Sequence, residues 1–296
     1  MYVIKQIPED FIVEESIDVK KTASGKYTYF WLKKTNYTTL QAIKYLSKKF
    51  NLSLKFFGFA GNKDKNAVTT QLISIANGKK EMCFETNKLS LRFYSLGDRP
   101  ISLGFNKGNK FTITVRNLDV IPRVKSGFIN FFGEQRFSKF NVDIGRALVK
   151  GDIKKANELI KQSKGMDVQH TNKKLLKLFI NAYQSFLWNK CVVEAIKNNL
   201  DLKVFPIIGF ATTLEKKEKE IIEKILKDEN ISPRDFIIRS FPELSQEGDL
   251  RDIFCEAKDL IYEIENDELN KGKKKLILKF SLSKGCYATE FIKQLF

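Results

Sequence analysis

The most informative stretch of the sequence is GFAGNKDKNAVTTQ, residues 58–71. The two glycines in this stretch let the backbone turn tightly and present the residues that follow. Asp64 comes directly after the turn and lies between Lys63 and Lys65. A carboxylate between two cations suits a nucleophile or a base that acts on nucleic acid, because it stays ionised and close to phosphate. The same pattern is also typical of an ordinary turn residue, so this stretch alone does not distinguish a catalytic aspartate from a turn residue.

Two kinds of pattern flank this stretch in the first half of the chain. Aromatic and β-branched residues fill positions 27–32, and apolar and polar residues alternate over 111–116, so both segments predict strands. Between them, Thr38 or Thr39 can cap a helix that continues to about residue 50, because apolar residues recur there at three- and four-residue steps. The first half is therefore expected to be rich in strands.

In the second half of the chain the residue pattern changes twice. Apolar residues at helical spacing predict helices within 145–260, whereas residues 263–275 are dense in charge and predict an exposed loop or a domain junction. Residues 276–282 then predict a strand. A chain that leaves a sheet, builds a helical part and returns to the sheet indicates an inserted domain.

Composition limits the classes of protein that this chain can be. Hydrophobic residues make up 43% of the 296 residues, which is enough for a full core and excludes a chain that is disordered throughout. No apolar run approaches the roughly 18 residues of a membrane span, and no signal peptide is expected. The formal net charge of +17 favours polyanionic partners, of which nucleic acid is the commonest.

Few residues are suited to metal or cofactor chemistry. The four cysteines are scattered without a CxxC pair, and His170 is the single histidine, so neither a zinc site nor a Ser/His/Asp triad is expected. The sequence contains neither a Walker loop nor a GxGxxG motif. We therefore expect no cofactor and no metal, and we interpret the cysteines as reduced thiols of a cytoplasmic protein.

Two further segments combine aromatic and polar side chains. Residues 127–137 interleave Phe132 and other phenylalanines with Asn130 and Arg136, a pattern that can stack an unpaired base and bind its edge. An aromatic core segment would show the same pattern. The segment GCYAT places Tyr287 at a strand-to-helix junction, where a partly buried tyrosine is also common.

Taken together, five motifs in one order resemble the TruD family of RNA pseudouridine synthases. The motifs are PEDFIVEE at 8–15, GFAGNKDKNAVTTQ at 58–71, GNKF at 108–111, NFFGEQRF at 130–137 and LSKGCYAT at 282–289. They extend over nearly the whole chain, which argues against a chance similarity. The part from about 195 to 275 carries little of this signal.

The resemblance implies an α+β fold with two domains. The core would be a pseudouridine-synthase domain, formed by residues 1–154 and 261–296, with a bent, mixed, mainly antiparallel sheet flanked by helices. A smaller, helix-rich α/β domain of the TruD type would be inserted at residues 155–260.

The resemblance also implies roles for individual residues. Asp64 occupies the position of the catalytic aspartate. Phe11, Asn130 and Tyr287 fall on positions associated with the uridine pocket, and Tyr287 keeps the ring of the phenylalanine that the family commonly has. Further candidates for substrate binding are Phe132, Lys63 and Arg136.

The implied reaction is the isomerisation of uridine to pseudouridine inside an RNA chain. The target base must leave its stack to reach a pocket, and aromatic side chains can replace the stacking that it loses. The Asp64 carboxylate could attack the anomeric carbon or C6 of uracil, or it could abstract a ribose proton to give a glycal. The base then turns and rejoins through C5, and no cofactor is consumed.

The resemblance makes tRNA the expected partner, with the uridine at position 13 of the D arm as the expected target. One alternative is a non-catalytic RNA-binding protein that kept the fold, and another is a synthase acting on a different uridine or RNA. An inert binder has no need of Asp64, which is present here with its whole motif. A basic hydrolase would need a second, paired acid, and none is evident. A cytoplasmic monomer without a membrane or metal partner is expected.

Overall fold

A computed structural model describes residues 1–138, 140–214 and 216–296 as an α+β protein. The chain divides into two compact units. The first comprises Met1–Ser126, Glu256–Ala288 and Leu295–Phe296, and the second comprises Gly127–Cys255 and Thr289–Gln294. Among the described residues, none of the helices combines the length and the apolar character that a membrane crossing requires.

Strands are concentrated towards the two ends of the chain and helices towards its middle. The strands are β1 Val3–Ile4, β2 Phe11–Ser16, β3 Tyr27–Thr35, β4 Phe57–Phe59, β5 Val68–Ala76, β6 Phe84–Glu85, β7 Leu89–Gly97, β8 Gly108–Leu118, β9 Gly127–Ile129, β10 Val204–Ile207, β11 Asp249–Asp252, β12 Phe254–Glu256, β13 Lys258–Asn266 and β14 Lys274–Ser283. The helices are α1 Thr39–Lys49, α2 Asn141–Val149, α3 Ile153–Lys164, α4 Lys173–Lys197, α5 Lys216–Glu229 and α6 Ala288–Lys293.

A ten-stranded sheet is the framework of the first unit. Its strand order is β13-β14-β8-β2-β5-β3-β7-β6, with β1 beside β8 and β4 beside β5. Strands β2 and β5 run parallel, and the other neighbours run antiparallel. The mixed, mainly antiparallel sheet that the resemblance implies is therefore confirmed. Strand β5 is a central strand of this sheet. The loop that precedes it carries Asp64, so this loop ends at the middle of the sheet.

Helix α1 packs against one side of this sheet. The Thr38 side chain accepts a hydrogen bond from the Gln41 N–H at 3.1 Å, and the Gln41 side chain accepts one from the Thr38 N–H at 2.9 Å. This reciprocal cap satisfies backbone donors at the start of the helix. Ala42, Ile43 and Leu46 are buried in a cluster with apolar residues of β3, β4, β5 and β7. The predicted helix after Thr38 is confirmed.

Helices dominate the second unit. The 25-residue helix α4 has Tyr183 and Trp188 fully buried, and the Trp188 indole N–H donates to the Phe205 carbonyl at 3.0 Å. Gly145 of α2 lies so close to α4 that a Cβ at this position would be 2.1 Å from the Phe179 carbonyl oxygen. A glycine here therefore allows α2 and α4 to pack closely.

A buried ionic cluster ties the N-terminal segment to the sheet. The guanidinium of Arg116, on β8, donates to Asp10 and Asp267 at 2.8 Å each and to Glu268 at 3.0 Å. Arg116 has a side chain only 4% exposed. Burial alone would raise the pKa of Asp267, but hydrogen bonds from the Asn117 N–H and other donors outweigh it and hold that pKa well below its usual range. The cluster fixes the chain just before Phe11.

The structure corrects two expectations from the sequence. Residues 263–275 are not a single exposed loop, because their first residues belong to β13 and their last to β14. Strand β13 lies at the edge of the sheet and is exposed on both faces, so its composition is as polar as that of a loop. Cys83 and Cys191 are free thiols, whereas Cys255 and Cys286 are disulfide-bonded, so the prediction of reduced thiols is wrong for the latter two.

The compact units are groups of residues that pack together, and their limits do not test the predicted domains. The second unit begins at Gly127, whereas the inserted domain is predicted at 155–260. These units are defined by packing alone. The assignment of 1–154 with 261–296 to catalysis stays a prediction.

Replacing Arg116 by methionine should lower the free energy of unfolding by about 3–5 kcal/mol, because Asp10 and Asp267 would stay buried without a cation. Chemical denaturation monitored by circular dichroism measures this loss. The matched control is Lys279→Gln, which removes an exposed 3.7 Å pair with Glu263 on the same sheet and should cost less than about 1 kcal/mol. Equal losses in the two variants would contradict a stabilising role for the cluster.

Candidate active site

Asp64 lies in the loop between β4 and β5 with its carboxylate 36% exposed. The Lys5 ammonium donates a hydrogen bond to Oδ2 of Asp64 at 2.5 Å. From the described residues the carboxylate accepts no other hydrogen bond. Its second oxygen is therefore available to a ligand.

Gly58, in β4, and Gly61, in the loop after β4, differ in what they do. A Cβ at Gly58 would lie 2.4 Å from the Ile101 carbonyl oxygen, so only glycine fits this close approach. A Cβ at Gly61 would meet nothing within 4 Å. Close packing therefore requires glycine at Gly58 but not at Gly61.

A buried lysine, Lys34, holds the Asp64 loop in place. Lys34, on β3, is 1% exposed, and its ammonium donates to the carbonyl oxygens of Tyr37 at 2.5 Å, Asp64 at 2.8 Å and Lys63 at 3.4 Å. An ammonium has three N–H groups, and each of them points to one carbonyl. The backbone position of Asp64 is therefore fixed by a buried cation.

A chain of hydrogen bonds supports the same loop from α1 and β5. The Lys63 N–H donates to the Thr39 hydroxyl at 2.9 Å, and this hydroxyl donates to the Gln71 amide oxygen at 2.8 Å. The Gln71 amide N–H in turn donates to the Gly61 carbonyl at 3.2 Å. Both Thr39 and Gln71 are completely buried, so the loop rests on rigid elements on two sides.

The Lys63 side chain points into the protein. Its ammonium donates to Glu15 at 2.6 Å and to the Asn109 side-chain oxygen at 2.9 Å, and it is 8% exposed. Glu15 also accepts the Leu72 N–H at 3.2 Å. In this structure the ammonium thus joins the loop to β2 and β8, and a contact of Lys63 with a substrate phosphate stays a prediction.

Lys5 connects Asp64 to Phe11. Its ammonium lies 4.0 Å from the centre of the Phe11 ring, besides its hydrogen bond to Asp64. Phe11 is 3% exposed and packs edge-on against Phe111 at 6.1 Å. Tyr287 is half-buried on the segment between β14 and α6. The structure thus groups Asp64, Lys63 and Phe11 around one loop of the first unit.

The second unit groups the other candidates. Asn130 is 4% exposed; its side-chain oxygen accepts from Arg251 at 2.7 Å, and its amide donates to the Asp252 carbonyl at 3.1 Å. The Arg251 guanidinium lies 4.0 Å and that of Arg136 lies 5.3 Å from the centre of the Phe132 ring. These contacts fix the orientation of the Asn130 amide and place two cations against one aromatic ring.

Sequence reasoning missed Lys5, Lys34 and Arg251. Lys5 is the single basic residue among the first 19, a signal that singles it out. Lys34 continues the two-residue period of the buried Phe30 and Leu32, so strand alternation places it inward. Arg251 has no comparable signal. Among the described residues, no group of three His, Cys, Asp or Glu side chains could hold a metal ion.

Comparisons with known proteins agree on one family. The family model described as tRNA pseudouridine synthase D (TruD) matches residues 2–167 and 203–295. A Methanocaldococcus jannaschii protein named "Probable tRNA pseudouridine synthase D 2" is 32% identical, over 99% of this chain and 91% of that protein. The tRNA pseudouridine synthase D of Aquifex aeolicus is 28% identical, over 99% of this chain and 98% of that protein.

A solved structure supports the fold. A Methanosarcina mazei crystal structure described as TruD matches with a TM-score of 0.79 and 24% identity, over 99% of this chain and 92% of that chain. The architecture is thus that of a TruD-like pseudouridine synthase. The chain belongs to the TruD family.

The chain is shorter than its relatives within the matched span. The alignment with the Methanocaldococcus protein runs over 394 positions, although this chain has 296 residues. That relative therefore has internal segments that this chain lacks.

The contacts of Lys34 lead to an expected pH dependence. Burial lowers the pKa of Lys34 to about 8, and the Asp64 charge opposes this shift while the Lys63 charge adds to it. Above that pH the neutral amine has two N–H groups for three carbonyls. Synthase activity should therefore fall as the pH rises through about 8, as single-turnover rates measured across this range would show.

Lys34→Arg keeps its charge and should move this alkaline loss to higher pH. The Lys34→Met variant has no titrating group at this position. Its synthase activity should therefore be low at every pH and should show no further fall above about pH 8. Thermal melts would show that both variants are folded. An alkaline midpoint shared by the wild type and both variants would contradict the role of Lys34.

Proposed function

We propose that this protein isomerises uridine to pseudouridine in tRNA and that Asp64 is its catalytic carboxylate. The observation that carries the proposal is a half-exposed carboxylate on a loop fixed by buried contacts, with one oxygen bound by Lys5. The net charge of +17 suits a polyanionic substrate. The names of the relatives from Methanocaldococcus jannaschii and Aquifex aeolicus support tRNA as that substrate.

The chemistry follows from a carboxylate that is fixed before the substrate arrives. Lys5 orients one oxygen of Asp64, and the other oxygen reacts with the uridine. Attack on the anomeric carbon, attack on C6 of uracil and removal of a ribose proton all begin from this oxygen. In each route the bond from N1 to the sugar breaks, a bond from C5 to the sugar forms, C5 releases its proton to water, and N1 takes up a proton from water. The reaction is balanced without a cofactor.

Uridine recognition is assigned to the residues that the family resemblance indicates. Phe11 and Tyr287 would stack against the base after it leaves its helix. Asn130 would donate a hydrogen bond to it, and the Arg251 contact at 2.7 Å fixes the orientation of that amide. Phe132, Arg136 and Lys63 complete the candidate substrate contacts.

The proposal also covers the target uridine, the cellular location and the oligomeric state of the enzyme. The resemblance favours the uridine at position 13 of the D arm. The proposed setting is the cytoplasm, with the enzyme acting as a monomer. A non-catalytic RNA-binding protein would bind tRNA but would have no use for the fixed Asp64 carboxylate.

Asp64→Asn keeps the shape of the side chain and removes its charge, so it should lower pseudouridine formation by more than about 100-fold. Carbodiimide-dependent reverse-transcription stops on unmodified tRNA measure this loss and locate the modified uridine. The proposal expects one stop, at position 13, with the wild type. A stop of equal strength with the variant would contradict the role of Asp64. Binding without any stop would favour the inert RNA-binding protein.

Lys5→Met should lower the single-turnover rate by about 10-fold to 1,000-fold, because the Asp64 carboxylate loses its only hydrogen-bond donor among the described residues. Lys5→Arg should restore part of the rate. The control Lys271→Gln removes an exposed lysine of the same unit and should leave the rate unchanged. A Lys5→Met enzyme as fast as this control would contradict the role of Lys5.

A further inference from the structure

One part of the first unit has an unusual distribution of charge. Residues 19–63 contain ten lysines and neither aspartate nor glutamate, and Asp64 ends this run. Helix α1 lies in the middle of it. Each of the helices α2 to α6 carries at least one carboxylate, and α1 carries none.

The lysines of α1 lie on the side that faces away from the sheet. Ala42, Ile43 and Leu46 are buried, whereas Lys44 and Lys48 are exposed. On the same outer side, Leu40 is 54% and Tyr45 is 39% exposed. We call this outer side, formed by Leu40, Gln41, Lys44, Tyr45 and Lys48, the α1 surface.

The charges of the α1 surface are not neutralised. No carboxylate among the described residues lies within 4.0 Å of the Lys44 or Lys48 ammonium. Exposed lysines of α5 differ, since Lys219 pairs with Glu223 at 3.8 Å and Lys224 pairs with Glu194 at 3.4 Å. An ordinary solvated helix interleaves both signs, as α5 does, whereas a uniform positive face favours a polyanion.

The buried side of α1, opposite the α1 surface, contacts the Asp64 loop. The Thr39 hydroxyl, in the first turn of α1, accepts the Lys63 N–H at 2.9 Å. At a rise of about 1.5 Å per residue, Lys44 lies about 7 Å and Lys48 about 13 Å along the axis from Thr39. An RNA strand whose uridine reaches Asp64 would pass the N-terminal end of α1 to meet this row of lysines. Tyr45, whose ring centre lies 6.0 Å from that of Phe84, offers a ring on which a base can stack.

We propose that the α1 surface is a docking site for the phosphodiester backbone of the substrate RNA beside its target uridine. The inference rests on the proposed function and adds the path of the RNA over the protein. Lys44 and Lys48 contact phosphates, and Tyr45 and Leu40 contact the adjoining nucleotide. None of these residues takes part in the reaction, so they act on binding alone.

The test compares two double variants that remove the same charge from two helices. One is Lys44→Gln with Lys48→Gln, and the matched control is Lys219→Gln with Lys224→Gln. Filter binding of unmodified tRNA is measured over a series of salt concentrations, and single-turnover pseudouridine formation is measured at saturating tRNA.

The α1 variant should bind tRNA about tenfold more weakly at moderate salt, and the slope of log affinity against log salt should shrink by about 1.5. Its rate at saturating tRNA should equal that of the wild type. The control should bind within about twofold of the wild type. Unchanged affinity and slope in the α1 variant, or an equal loss in the control, would overturn the inference.

The same data separate this inference from the proposed function. A wild type that forms pseudouridine while the α1 variant binds normally refutes the docking site and leaves the function intact. A wild type that forms none, with binding lost in the α1 variant alone, supports RNA docking on this surface and refutes the enzyme.

Discussion

A buried lysine ammonium under the Asp64 loop is the contact on which the candidate site depends. Lys34 is 1% exposed, and no carboxylate in the described part of the chain is its direct partner. It satisfies its three N–H groups with backbone carbonyls, one of them that of Asp64. Burying such a charge is costly unless every donor is paired. The loop therefore cannot move away from β3 without leaving an unpaired cation, which explains how a segment without regular structure presents its carboxylate in one position.

A second set of charges positions the N-terminal segment. Arg116 binds Asp10, the residue before Phe11, so the chain that carries Lys5 approaches Asp64 from a fixed point on the sheet. Lys5 then contacts both the Phe11 ring and the Asp64 carboxylate. Buried ion pairs contribute little net stability compared with apolar packing, but removing one partner is costly. In this protein they determine which residues surround Asp64.

Much of the fold could be predicted from local patterns, because capping and alternation act within a few residues. The helix after Thr38 and the strands around 27–32 and 111–116 are examples. Strand β13 could not be predicted, since an edge strand exposed on both faces lacks the apolar face that marks a strand. The inward orientation of Lys63 was also missed, because its partner Glu15 lies 48 positions away in the sequence. The motif singled out Asp64, but only the folded chain brings Lys5 and Lys34 to it.

The proposed catalysis depends on an Asp64 carboxylate that is held in one position by its surroundings. Asp64→Glu tests it most directly, because this change keeps the charge and moves the carboxylate by one methylene. The measurement is single-turnover release of tritium from tRNA that carries uridine labelled at C5. We expect a rate at least about 100-fold below that of the wild type, since a displacement of about 1 Å is enough for such a loss. A rate within a few-fold of the wild type would contradict it.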